Sequence, residues 1–174
     1  PMPGGVDDSV VIVDIDEKSL SHPELGRWPW SRDKVASLIT TLFDQYGASV
    51  IGFDVVWAEP DNSSGMELLD RLSASELRSD AEFRRVSERL RSKLDFDQTF
   101  ANALRNRPVV LGYYFNFGPN TPKNGKLPDP AMSFEDAGPV AAGLQAADGY
   151  GANIPKLQDS VLVGGHFNPT IDID

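Results

Sequence analysis

The sequence predicts an α/β fold: a three-layer α/β/α sandwich whose mainly parallel sheet is built on a βαβαβ unit. Three observations carry that prediction. An unbroken apolar run at residues 10–13 has the composition of a strand buried on both faces, and residues 50–56, interrupted by Asp54, and 109–115 read as further apolar strands. Amphipathic helical patterns separate those runs, and strand–helix–strand order favours parallel pairing. The length of 174 residues suits one domain with its own core.

Residues 1–9, opening Pro1-Met2-Pro3-Gly4-Gly5, read as a linker or a remnant of expression, and residues 10–174 as one domain. The first run, Val10-Val11-Ile12-Val13, is β-branched and ends at Asp14. A loop carrying Gly26-Arg27-Trp28-Pro29-Trp30 follows. Ser31 stands where a helix N-cap belongs, and Val35, Leu38, Ile39, Leu42, Phe43 and Tyr46 recur at helical spacing up to Gly47, a C-terminal cap.

The run Val50-Ile51-Gly52-Phe53-Asp54-Val55-Val56 is the second strand. Residues 66–105 read as helix in two or three pieces, with capping-box spacing at Ser79/Glu82 and Asp95/Gln98. Apolar stripes run through Phe83, Val86, Leu90 and Leu94, then through Phe96, Phe100 and Leu104. A third strand is expected over residues 109–115. Residues 116–139 form a long Pro-rich loop, and a further strand is expected over residues 161–168.

Composition removes several classes of function. Sixteen Lys and Arg against 26 Asp and Glu give a net charge of −10, which disfavours nucleic acid and anionic membrane surfaces. No apolar run is long enough to span a bilayer. The absence of Cys removes disulfides, thiolate metal sites and cysteine nucleophiles, without fixing the compartment. His22 and His166 lack metal spacing, and no Gly-rich phosphate loop or nucleophile elbow is present. No catalytic set is recognisable, so no enzyme activity is expected.

The acidic residues form the notable constellation. Asp14 and Asp16 follow the first run; Asp54, Glu59 and Asp61 follow the second. In an open parallel sheet the carboxyl ends of adjacent strands meet at one edge, where ligands bind. The candidate ligand-binding residues are therefore Asp14, Asp16, Arg27, Trp28, Trp30, Arg32, Asp54, Glu59 and Asp61, with the loop at residues 116–139 as a lid. Asp14, Asp16 and Asp54 are also a candidate Mg²⁺ or Ca²⁺ set, since hard cations take carboxylate oxygens. Otherwise no cofactor is expected. The plainer reading has Asp14 and Asp54 satisfying loop amides and pairing with Arg27 or Arg32, and Trp28-Pro29-Trp30 serving as a hydrophobic lid.

Two resemblances bear on function. The run Val11-Ile12-Val13-Asp14-Ile15-Asp16 is similar to the opening of aspartate-nucleophile phosphatases of the haloacid-dehalogenase type, which implies a Mg²⁺-dependent enzyme using Asp14 and Asp16. Lys18 and Asp54 depart from that pattern, and Asp172 and Asp174 do not convincingly supply its late acidic pair. The second resemblance covers most of residues 10–115. Val10-Val11-Ile12-Val13-Asp14-Ile15-Asp16-Glu17 followed by Gly26-Arg27-Trp28-Pro29-Trp30-Ser31-Arg32 resembles the N-terminal signature of CHASE domains of the second type. Phe53-Asp54-Val55-Val56-Trp57-Ala58-Glu59-Pro60-Asp61 resembles the family's second block, and Asp97 to Leu104 leading into Pro108-Val109-Val110-Leu111-Gly112 its third. Gly165-His166-Phe167-Asn168 and Asp172-Ile173-Asp174 resemble the final block, cut short of its end.

That family resemblance implies an extracytoplasmic ligand-sensing module of a bacterial inner-membrane receptor, flanked by transmembrane helices. The implied output is a nucleotide cyclase, otherwise a histidine or Ser/Thr kinase or a diguanylate cyclase. Its ligand would be a small molecule or an ion. A homodimerisation module using Trp28 and Trp30 is the third reading.

Overall fold

The computed structural model describes residues 9–133, 135–143 and 145–168. The chain forms two units, Pro1–Trp30 and Ser31–Asp174. In the first, the described residues hold one short helix, α1 (Glu17–Leu20). Asp16 caps it: its Oδ1 accepts from the Ser19 N–H and the Ser19 hydroxyl, both at 2.8 Å.

The run at residues 10–13 corrects the sequence reading. It is not a strand, and Val10, Val11, Ile12 and Val13 are all exposed. A strand exists only where its N–H and C=O groups find a second strand, and β-branched composition cannot supply that partner.

In the second unit, α2 (Arg32–Asp44) begins at Ser31, whose side chain makes no cap hydrogen bond. Val35, Ala36 and Ile39 of its apolar stripe are buried, while Tyr46 is exposed. Gly47 adopts φ +68°, and the Ala48 N–H returns to the Leu42 carbonyl at 3.0 Å, closing the helix as its glycine predicts.

Strand β1 (Ile51–Gly52) is followed by α3 (Met66–Ala74), a 3-10 turn (Glu76–Ser79), α4 (Ala81–Leu94) and α5 (Phe96–Leu104). The cap of α4 falls one residue later than the sequence spacing suggests: Asp80, not Ser79, accepts from the Phe83 N–H at 2.9 Å. The expected Asp95/Gln98 cap is present at 2.8 Å. Helices α2 and α5 pack together, with Phe100, Ala101 and Leu104 fully buried.

β2 (Val109–Asn116) is the central strand. It pairs in parallel with β1, Ile51 opposite Val109, and with β5 (Val163–His166), Leu111 opposite Gly164. Its far end pairs antiparallel with β4 (Gly149–Gly151), which pairs in parallel with β3 (Lys123–Asn124). Three of these four pairings are parallel, as expected. The βαβαβ order starts at β1, however, and runs through β2 and α6 (Pro155–Gln158) to β5. Sequence reading missed β3, β4 and α6, each four residues or fewer. Asp172 and Asp174 lie outside the described residues.

Two asparagines lock β2 in place. Asn168 grips Phe115, accepting from its N–H at 2.8 Å and donating to its carbonyl at 2.6 Å. Asn153 is fully buried; it accepts from the Trp57 N–H at 2.9 Å and donates to the Gly112 carbonyl at 3.0 Å. No larger residue fits at 112, because a Cβ there would sit 2.5 Å from the Phe53 carbonyl oxygen and from the Phe167 ring.

Replacing Asn153 by Ala strands a buried donor and a buried acceptor together. Each unsatisfied group costs about 1–3 kcal/mol, so the variant is expected to lose about 2–6 kcal/mol of unfolding free energy in a urea titration.

Candidate functional site

The predicted residues divide between the two units. In the first, Asp14, Asp16, Arg27 and Trp28 are exposed. Asp16 is committed to its cap, and the Ser19 N–H and hydroxyl hold its carboxyl below the ordinary aspartate range. Arg27 pairs with Glu17 at 3.0 Å rather than with Asp14 or Asp54. Gly26, at φ +72°, turns the chain into a cis Trp28–Pro29 bond. The Trp28 and Trp30 rings meet edge to face at 5.8 Å, and the Trp30 indole N–H donates to the Gly26 carbonyl at 2.8 Å. The aromatic pair is therefore a self-supporting turn.

In the second unit, Arg32 and Asp61 converge, and a residue missed by sequence reading joins them. Arg32 opens α2, Asp61 lies in the loop after β1, and Asp97 lies in the first turn of α5. The Arg32 N–H donates to Asp61 Oδ2 at 2.6 Å, so Asp61 supplies the helix cap that Ser31 does not. Asp61 Oδ1 accepts from the Ser63 N–H and hydroxyl at 2.7 and 2.6 Å. The Asp61 N–H donates to Asp97 Oδ2 at 3.0 Å.

The Arg32 guanidinium donates to the Glu59 carbonyl at 3.2 Å, and its Nε stands 3.7 Å from Asp97 Oδ1. It also lies 5.7 Å from the Trp57 ring centroid, a cation–π distance. Trp57 in turn packs edge to face on Phe53 and Phe100. Glu59 thus contributes its backbone, with its side chain exposed, and Asp54 is exposed and stands outside the cluster.

Burial dominates the electrostatics. Arg32 and Asp97 are 8% and 7% exposed. Desolvation pulls the guanidinium below its ordinary value, against the opposing pull of Asp97 and Asp61. Asp97 is pushed above the ordinary aspartate value by desolvation, which the Asp61 N–H and Arg32 only partly offset and the Asp61 charge reinforces. For Asp61, burial is the largest single influence and acts upward. The Ser63 hydroxyl, the N–H groups of Arg32 and Ser63, and the guanidinium together outweigh it and hold the carboxyl low.

One signal in the sequence points to Asp97. It shares the spacing of Phe100, Ala101 and Leu104, all buried, so an acid occupies the first position of a buried stripe. Among the described residues, no group of three or more His, Cys, Asp or Glu is arranged to hold a metal ion. A cleft of about 160 Å³ beside Lys126 and Asp159, which form an ion pair, is bordered by residues 126–129 of the loop expected as a lid but by none of the candidate ligand-binding residues.

The second unit is an α/β arrangement with the Arg32–Asp97 pair buried in its core. The chain belongs to the CHASE2 domain family, whose model matches residues 2–174. CHASE2 domains are extracytoplasmic sensor domains. No curated protein and no solved structure matches the chain. Among the described residues no helix is long and apolar enough to cross a membrane.

Replacing Arg32 by Met leaves the buried Asp97 and the half-buried Asp61 without their cation, while the backbone N–H of residue 32 still caps onto Asp61. A buried pair broken on one side loses about 3–5 kcal/mol. The loss is expected to be full at neutral pH and to shrink on acidification, as protons replace the missing charge. Urea midpoints measured across pH check both the size and the slope.

Proposed function

We propose that this domain is the ligand-sensing part of a bacterial transmembrane receptor and acts without catalysis of its own. The match of the CHASE2 family across nearly the whole chain carries the reading. Its output is a nucleotide cyclase, or else a histidine or Ser/Thr kinase or a diguanylate cyclase. A ligand works such a receptor only by binding one conformation better than another.

The predicted residues serve different ends in this reading. Asp14, Trp28, Asp54 and Glu59 have exposed side chains, accessible to a small molecule or an ion. Arg32 and Asp61 are engaged with the chain itself and hold the loop after β1. Their role is to transmit a change of shape.

The rival reading is the Mg²⁺-dependent phosphatase using Asp14 and Asp16. Asp16 is spent on capping α1, which leaves it poorly placed as an acid–base partner. With p-nitrophenyl phosphate and millimolar Mg²⁺, the domain is expected to give no hydrolysis above the buffer rate. Turnover that disappears in Asp14→Asn would establish the enzyme and remove the non-catalytic reading.

A further inference from the structure

The cluster around Arg32 holds two carboxylates and one guanidinium, so with both acids ionised it carries one negative charge in excess. The neighbouring elements do little to relieve it. From α2 the charge facing Asp97 is Arg32, from the loop it is Asp61, and from α6 it is Lys156. Lys156 is already committed to Asp95, with Nζ 3.0 and 2.8 Å from the two carboxylate oxygens. Asp97 Oδ1 and Arg32 Nε are buried and make no hydrogen bond. At 3.7 Å their attraction is that of separated charges.

We propose that Arg32, Asp61 and Asp97 form a proton-operated latch on the loop from Trp57 to Ser63. A proton from solvent binds Asp97 Oδ1, the oxygen without a hydrogen bond, while Oδ2 keeps accepting from the Asp61 N–H. The cluster then holds one cation and one anion, and the repulsion between Asp61 and Asp97 is gone. Arg32 is left to Asp61, the Glu59 carbonyl and the Trp57 ring, all in the loop. Proton uptake therefore commits the guanidinium to the loop, while the hydrogen bond from the Asp61 N–H to the now neutral carboxyl weakens.

The direction of Asp97's titration agrees. Its carboxyl binds protons more strongly in the folded domain than in the unfolded chain. Its contribution to stability is complete below the unfolded value and is lost as pH rises through the folded value. Asp61 acts with the opposite sign, so the latch needs Asp61 to stay ionised where Asp97 is protonated, and the directions of their shifts provide that window. An extracytoplasmic domain meets the external pH directly. Use of the latch as a signal rests on the sensor reading, whereas the latch itself does not.

The test is a pH titration of the domain labelled with 5-fluorotryptophan, followed by ¹⁹F NMR. Three tryptophans give three resonances, and Trp57 reports on the guanidinium beside it. The Trp57 resonance is expected to move in a single step centred above 3.8, the ordinary aspartate value. In Asp97→Asn the step disappears and the resonance stays at its low-pH position, while in Asp95→Asn the step survives. A flat Trp57 resonance, or a step that persists in Asp97→Asn, overturns the latch. Should Asp97→Asn fail to fold, the ¹³C carboxyl shift of Asp97 in the unmodified domain decides. Titration at or below 3.8 overturns the proposal, and a higher midpoint coinciding with the Trp57 step upholds it. A receptor whose output ignores pH, in a domain whose Trp57 step is intact, would remove sensing by this route and leave the latch standing.

Discussion

A guanidinium taken out of water must bring its counter-charges with it, and that requirement organises the second unit of this domain. Arg32 is the first residue of α2 and is nearly sealed from solvent. Its partners come from two separate stretches: the Trp57 ring, the Glu59 carbonyl and Asp61 from the loop after β1, and Asp97 from α5. A hydrophobic residue at position 32 would pack α2 against α5 without dictating where that loop lies. The charge does dictate it, since every misplacement leaves a buried ion unpaired.

The same loop is fixed a second time, from the sheet. Asn153 joins the Trp57 backbone to Gly112 in the central strand, and the Ile154 N–H donates to the Trp57 carbonyl at 2.8 Å. Trp57 is thus held at its N–H, its carbonyl and its ring. The backbone clamp is neutral and insensitive to pH over the physiological range, whereas the charged cluster is not. A change in the cluster therefore acts on the part of the loop beyond Trp57, around Glu59 and Asp61, with the tryptophan as its pivot.

How much of this was legible in the sequence depended on how local each determinant is. The amphipathic stripe of α2, its glycine stop at Gly47 and the Asp95/Gln98 cap are settled within a few residues, and the structure has them where the pattern places them. β2 was legible because Val109 to Phe115 is long, apolar and flanked by two parallel neighbours. β3 and β4 were not, because Lys123-Asn124 and Gly149-Tyr150-Gly151 have no strand composition. They exist through their pairing alone. Residues 10–13 show the converse: four β-branched residues read as strand, yet no ladder forms. β-Propensity describes how well a residue fits a sheet that already has a neighbour, and it cannot report whether the neighbour is there.

The site followed the same division, with one informative difference. Acids and bases crowd the segments around the first two apolar runs, which points to Arg32 and Asp61, and the structure does bring those two together. Where the plainer reading pairs Arg32 with Asp14 or Asp54, the structure pairs it with Asp97, 65 positions away. Counting acids near strand ends weights every carboxylate equally, whereas burial does not. An exposed acid such as Asp54 keeps its water and makes no demand on the fold. A buried one must be met by a donor or a cation, or else take up a proton. The residue to seek in such a sequence is therefore an acid standing in register with a buried apolar stripe. Asp97, in line with Phe100, Ala101 and Leu104, is that residue here, and its position makes the Arg32 cluster both a structural tie and a group that responds to protons.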